Sequence, residues 1–167
     1  NFTIISSYLS KLEDSVSSVF ADYNLNSITG SWSIDQDGIG QAMSAALLSL
    51  VDINKCPTVS NLWRYAGLDP KHTKWSPFLK NISWKIGMSF QTQSYSNTFY
   101  GNIYNSDYNR RQEMNLKSSQ DNKVSDSRIE AQARRYATKI FLSHWHHIRY
   151  REIIGSDPAI SFASSDR

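Results

Sequence analysis

The chain has 167 residues, of which 40% are hydrophobic, 13% aromatic and 20% charged, and its 18 basic against 15 acidic side chains leave a net charge of +3. That length and apolar content suit one domain with a real core and exclude wholesale disorder. The single cysteine, Cys56, excludes an internal disulfide framework and a two-cysteine zinc site.

No apolar run approaches the ~20 residues of a membrane span, and acidic and polar residues interrupt the opening stretch "NFTIISSYLSKLEDSVSSVF" where a signal peptide would be continuous. A soluble protein of an intracellular, cytoplasmic setting is expected, with no membrane partner. Ile4, Ile5, Tyr8, Leu9, Leu12, Val16, Val19 and Phe20 recur at three- and four-residue steps, which predicts an amphipathic helix ending before "NLNSITG". A Gly38-Ile39-Gly40 turn and an Ala/Leu-rich helix running to Val51 follow. Thr58 is placed to cap a short helix carrying Val59, Leu62, Trp63 and Ala66, which Gly67 closes.

"GLDPKHTKWSP" reads as a loop because one glycine and two prolines punctuate it. Phe78, Leu79, Ile82, Ile86 and Phe90 then mark one helix, and Phe99, Tyr100, Ile103, Tyr104 and Tyr108 another. No strand-like alternation or internal repeat interrupts this pattern, so the expected fold class is all-α. The expected organisation is a helical domain over 1–114, a polar linker over 115–127, a basic amphipathic helix over 128–154 packing on the same domain, and a tail over 155–167. A helix-hairpin-helix is expected at about 32–68 within the first of these.

The glycine turn carries the first functional signal. A helix entered through Gly-Ile-Gly presents unpaired backbone N–H groups at its start, and the helix dipole makes that end attractive to a phosphate. Gly38, Ile39, Gly40 and Gln41 are the candidate contact residues, with Ile39 as the apolar anchor. The alternative is a packing turn between two helices, and the acidic Asp35 and Asp37 just before it weigh toward that alternative.

The segment "GIGQAMSAALLSLVDINKCPTVSNLWRYAGLDP", residues 38–70, resembles the carboxy-terminal helix-hairpin-helix region of DEDD-type insertion-sequence transposases, the family that includes pilin-gene-inverting recombinases. The shared pattern is the Gly-x-Gly turn, the Ala/Leu-rich helix, the spacer, the short helix and Tyr65-Ala66-Gly67-Leu68. With "ARRYATKIFLSHWHHIRY", the chain is also similar over residues 30–150 to free-standing phage and bacterial proteins that carry this module without the catalytic half. The resemblance implies nucleic-acid binding at Gly38, Ile39 and Gly40. It does not imply catalysis: the nuclease-like half is not readable here, and where such transposases carry a nucleophilic serine this chain has Lys71-His72-Thr73-Lys74-Trp75-Ser76, leaving Ser76 as the nearest candidate.

The second functional signal is clustered charge. Between Arg128 and Arg151 six basic residues, Arg128, Arg134, Arg135, Lys139, Arg149 and Arg151, stand against one acid, Glu130. At roughly 100° per residue Arg128, Arg135, Lys139 and His146 share a narrow stripe, with Gln132 and Arg149 beside it. Such a stripe suits a phosphate backbone, although a solvated helix face has the same pattern. Lys71 and Lys74 join the candidates. Trp63, Trp75, Trp84 and Trp145 read as core or interface, with base stacking the alternative for an exposed Trp75 beside Lys71, His72 and Lys74. The "HWHH" stretch, residues 144–147, has poor spacing for a metal, and no metal or other cofactor is expected.

The expected function is thus non-catalytic nucleic-acid binding, DNA ahead of RNA, by a protein of phage or mobile-element type. The alternatives are the carboxy-terminal part of a transposase or recombinase, and a structural or assembly protein acting in a homo-oligomer or larger complex.

Overall fold

The computed structural model describes residues 2–119 and 122–159, and every regular element among them is helical. In chain order these are α1 (Phe2–Leu25), α2 (Ile28–Ile34), α3 (Gln41–Leu50), α4 (Val59–Tyr65), α5 (Pro77–Gln93), α6 (Phe99–Lys117) and α7 (Asp126–Ile154). Single 3₁₀ turns occupy Ile53–Lys55 and Ser94–Ser96. No described helix is long and apolar enough to cross a membrane.

The core forms around α7, whose buried face includes Ile129, Ala133, Ala137, Phe141 and Trp145. These residues repeat at four-residue steps, so one face of the helix meets α2, α4, α5 and α6 in turn. Aromatic side chains fill the centre: Phe90 stacks on Tyr100 at 4.8 Å, and Phe141 meets the edges of both at 5.6 and 5.3 Å. From the other side Trp32 stacks on Phe141 at 5.6 Å. α5 crosses α7 closely at Gly87, where an added Cβ would lie 2.9 Å from the Thr138 hydroxyl and 3.2 Å from the Arg134 Cβ.

Local chemistry explains the element ends. Thr58 and Asn61 form a capping box at the start of α4, and the left-handed Gly67, at φ +67°, closes its end. α2 is tied to α7 through Glu152, whose carboxylate accepts hydrogen bonds from the hydroxyls of Ser27 and Thr29 and from the amide of Ile28 at 2.8 Å. Arg149 completes this lock at 2.9 Å. Burial alone would raise the Glu152 pKa, but the hydrogen bonds from Thr29, Arg149, Ile28 and Ser27 outweigh it and hold the group at about 2.

Two boundaries differ from the sequence expectation. α1 continues through Asn24 to Leu25, because the Asn24 side chain is buried and donates to the backbone and side-chain oxygens of Gln41 at 2.9 and 2.8 Å. α6 continues to Lys117, so the expected linker begins as helix, and Asn115 exchanges two bonds with the Val124 backbone. Of the expected tail, residues 160–167 lie outside the described residues.

α1 is the exception to core formation. Asn24 is its one buried residue, and its apolar stripe faces outward along nearly the whole helix.

Candidate nucleic-acid interface

The glycine turn has two faces. Gly38 adopts φ +85°, an added Cβ there would lie 2.5 Å from the Ser89 hydroxyl, and its carbonyl accepts that hydroxyl at 2.6 Å. A side chain at this position would be both strained and obstructed. Ile39 is buried in the core and its amide donates to the Gln36 carbonyl at 3.0 Å, so both residues fasten the turn against the body. Gly40 is exposed, caps α3 without a side chain, and has nothing within 4 Å of the place a Cβ would occupy. The amides of the first turn of α3, from Gln41 onward, have no intrahelical carbonyl to reach. The Gln41 side chain itself is held by Asn24. Asp35 and Asp37 are exposed beside the turn.

The basic face lies elsewhere, at the other end of α5. Gly38 meets α5 at Ser89, nine residues on from Lys80, which is about 14 Å along the helix axis. There the loop from Leu68 to Ser76 folds back on α4, with the Ser76 amide donating to the Tyr65 carbonyl at 2.9 Å. Asp69 organises the loop: its carboxylate accepts the Lys71 amide at 3.0 Å, pairs with the His72 ring at 2.7 Å and lies 3.8 Å from Arg64. The Lys71 amide, the His72 ring and the positive charge of Lys139 hold the Asp69 carboxyl below its ordinary pKa.

Around this loop cations from four elements converge. Pro70, Arg111, Arg135 and Lys139 line a surface recess of about 240 Å³, and Arg64, Tyr65 and Lys74 line a second of about 560 Å³ together with Asp52 and Lys55, which pair with each other at 3.5 Å. Arg135 and Lys71 are exposed and form no salt bridge among the described residues. Lys139 lies with its ammonium 4.9 Å from the Trp63 ring centre, and burial lowers its pKa, with Asp69 opposing and Arg135 adding to the shift. Lys80 sits 4.0 Å over the ring of Trp75, which is 37% exposed at the edge of this face.

Several sequence candidates sit differently. Arg128 is exposed at the first turn of α7, and Arg135 follows it on the same face. Farther along, the stripe enters the body: His146 is buried and hydrogen-bonded to the Cys56 carbonyl at 2.7 Å. Burial lowers the His146 pKa, so a neutral ring that donates this bond is favoured. Arg149 is committed to the Glu152 lock rather than to the open surface. Arg134 bonds Gln91 at 2.6 Å, across to α5.

The "HWHH" side chains diverge. His144 meets the Tyr100 hydroxyl, Trp145 fills the core, and His147 lies 3.6 Å from Asp157. Among the described residues no group of three potential metal ligands assembles. Ser76 is 9% exposed and its hydroxyl accepts the Leu79 amide at 3.3 Å as the cap of α5.

Sequence reasoning missed Arg111, Lys55, Arg64 and Lys80. They reach the face from α6, the Ile53–Lys55 turn, α4 and α5, and no local pattern joins them. Arg111 is oriented by Asp107 on its own helix and by Gln132 on α7 at 2.9 Å, and only the i, i+4 spacing of Asp107 and Arg111 signals that arrangement in the sequence. Comparison with protein-family models, with curated proteins and with solved structures gives no match.

Proposed function

We propose that the protein binds nucleic acid, DNA ahead of RNA, and performs no chemistry on it. Arg135 and Lys139 of α7, with Lys71 and Lys74 of the loop, are the main phosphate contacts in this reading, and Arg128 extends them along α7. The exposed Gly40 start of α3 offers a second contact at the far end of α5, against the local charge of Asp35 and Asp37. The resemblance of residues 38–70 to transposase carboxy-terminal regions is the reason for placing DNA first.

The observation that carries the reading is the convergence of Arg111, Arg135 and Lys139 on one recess beside the lysine-bearing loop. Cations gathered from α6 and α7 at one surface strengthen each other's attraction for a polyanion, and each contact adds through counterion release. Base readout is not part of the proposal, because these groups position a backbone and carry little sequence information.

The test is binding to duplex DNA, single-stranded DNA and structured RNA across a salt series. Affinity should fall steeply with salt, and Arg135→Glu with Lys139→Glu should weaken binding at least tenfold and flatten the log–log salt slope by roughly two. Unchanged affinity and slope in that variant, with its helical circular dichroism intact, would remove the basic face from the mechanism.

A further inference from the structure

We propose that α1 is a coiled-coil arm that pairs in parallel with α1 of a second copy of this chain. Phe2, Ile5, Leu9, Leu12, Val16, Val19 and Tyr23 follow one another at alternating steps of three and four, a strict heptad seam with Phe2, Leu9, Val16 and Tyr23 at a and Ile5, Leu12 and Val19 at d. All seven are exposed in the single chain, from Tyr23 at 46% to Phe2 at 90%.

The attachment of the arm leaves that seam free. The body grips α1 through Phe20, Ala21 and Asn24, at heptad positions e, f and b, while Val19 and Tyr23 beside them stay exposed. Asn24 is clamped to Gln41, and Gly30 of α2 packs directly on the Asn24 backbone. Toward the amino terminus of α1 the side chains are exposed on all sides. Most helical stability in proteins comes from packing an amphipathic face, which the seam of α1 lacks in the single chain.

Three features select a second copy as that cover. First, the seven seam residues keep a strict period of 3.5 residues from Phe2 to Tyr23, which matches another helix carrying the same seam, and the exposed Ile4 and Tyr8 beside it, at c and g, widen its amino-terminal half. Second, the flanking positions tolerate self-pairing. In parallel register the g-to-e′ pairs within α1 are Tyr8 with Glu13 and Ser15 with Phe20, so no like charges oppose each other. Lys11 and Asp14 sit on the outer c and f positions, away from the seam. Third, the area is sufficient: seven seam side chains at roughly 100 Å² each, on two copies, bury on the order of 1,400 Å², within the range of about 1,200–2,000 Å² typical of stable pairs.

This inference does not depend on nucleic-acid binding. The experiment is sedimentation equilibrium of the full chain at about 50 µM, compared with Leu9→Glu, Val16→Glu in one double variant. The expected result is twice the 19.1 kDa chain mass for the parent and a single chain mass for the variant. Both positions are exposed in α1, so the core is spared, and unchanged near-ultraviolet tryptophan signals would verify that. Orientation is read by oxidation with diamide: Ile5→Cys should cross-link into a dimer and Asp14→Cys should not, against a parent blank in which Cys56 is buried. A monomeric parent, an oligomer larger than two, or a variant that still pairs would overturn the proposal. Failure of Ile5→Cys to cross-link would overturn the parallel arrangement.

Discussion

α1 and α7 are the two long amphipathic helices of this chain, and they have opposite fates. α7 buries ten residues from Ile129 to His146 and packs against α2, α4, α5 and α6. α1 buries Asn24 alone and offers its aliphatic and aromatic side chains to the outside. Periodicity fixes that a segment is helical and which of its faces is apolar. What covers that face is decided by the rest of the chain, or by another chain.

The sharpest way to break this comparison is to truncate one seam residue in each helix. Phe141→Ala should cost about 3–5 kcal/mol, because Phe141 is fully buried and contacts the rings of Trp32, Phe90 and Tyr100. Val16→Ala should move the unfolding midpoint of the body by less than about 0.5 kcal/mol, measured by urea titration near 1 µM, where pairing contributes little. Equal losses would mean that α1 belongs to the same cooperative unit as the core, and the contrast drawn here would collapse.

A second, smaller effect probes how the far end of α7 is secured. Glu152 has a folded pKa of about 2 against an ordinary value of 4.5, a depressed carboxylate. Its contribution is therefore complete above pH 4.5 and is lost as pH falls toward 2, and it amounts to about 3 kcal/mol at neutral pH. Glu152→Gln should lower stability by that order at pH 7 and by much less near pH 3. A gap between parent and variant that does not change with pH would show that the lock acts by shape and not by charge. Among the described residues no charged lock holds α1, whose junction with the body rests on Phe20, Ala21 and the neutral Asn24 amide.

The same contrast explains what could be read from the sequence. The helices of the core other than α2 were legible because their apolar residues repeat at helical spacing and their ends carry signals such as Thr58 and Gly67. The buried role of Ile39 was legible as the anchor between two glycines. The Glu152 lock was not, since its partners Ser27, Ile28 and Thr29 lie more than 120 residues away. The basic stripe was legible only in part. Helical angle placed Arg128, Arg135 and Lys139 together, but burial of His146 and capture of Arg149 by Glu152 depend on what packs against the later turns of α7. Arg111, Arg64 and Lys80 join the face through tertiary structure alone.

An effect of about 1 kcal/mol separates a structural serine from a reactive one. Ser76 ends the basic loop and begins α5: its hydroxyl caps the Leu79 amide and its own amide is held by the Tyr65 carbonyl. Ser76→Ala should cost about 1 kcal/mol by thermal unfolding, the ordinary worth of such a cap, and Ser76→Asn should recover most of it because asparagine caps equally well. Loosening this anchor also frees the loop that displays Lys71 and Lys74, so Ser76→Ala should weaken nucleic-acid binding by no more than a fewfold, with Asn again restoring it. A nucleophile would behave differently, since asparagine cannot replace a reactive hydroxyl. Loss of strand cleavage or joining in both variants would make Ser76 catalytic, whereas rescue by asparagine assigns it to the scaffold that presents the basic face.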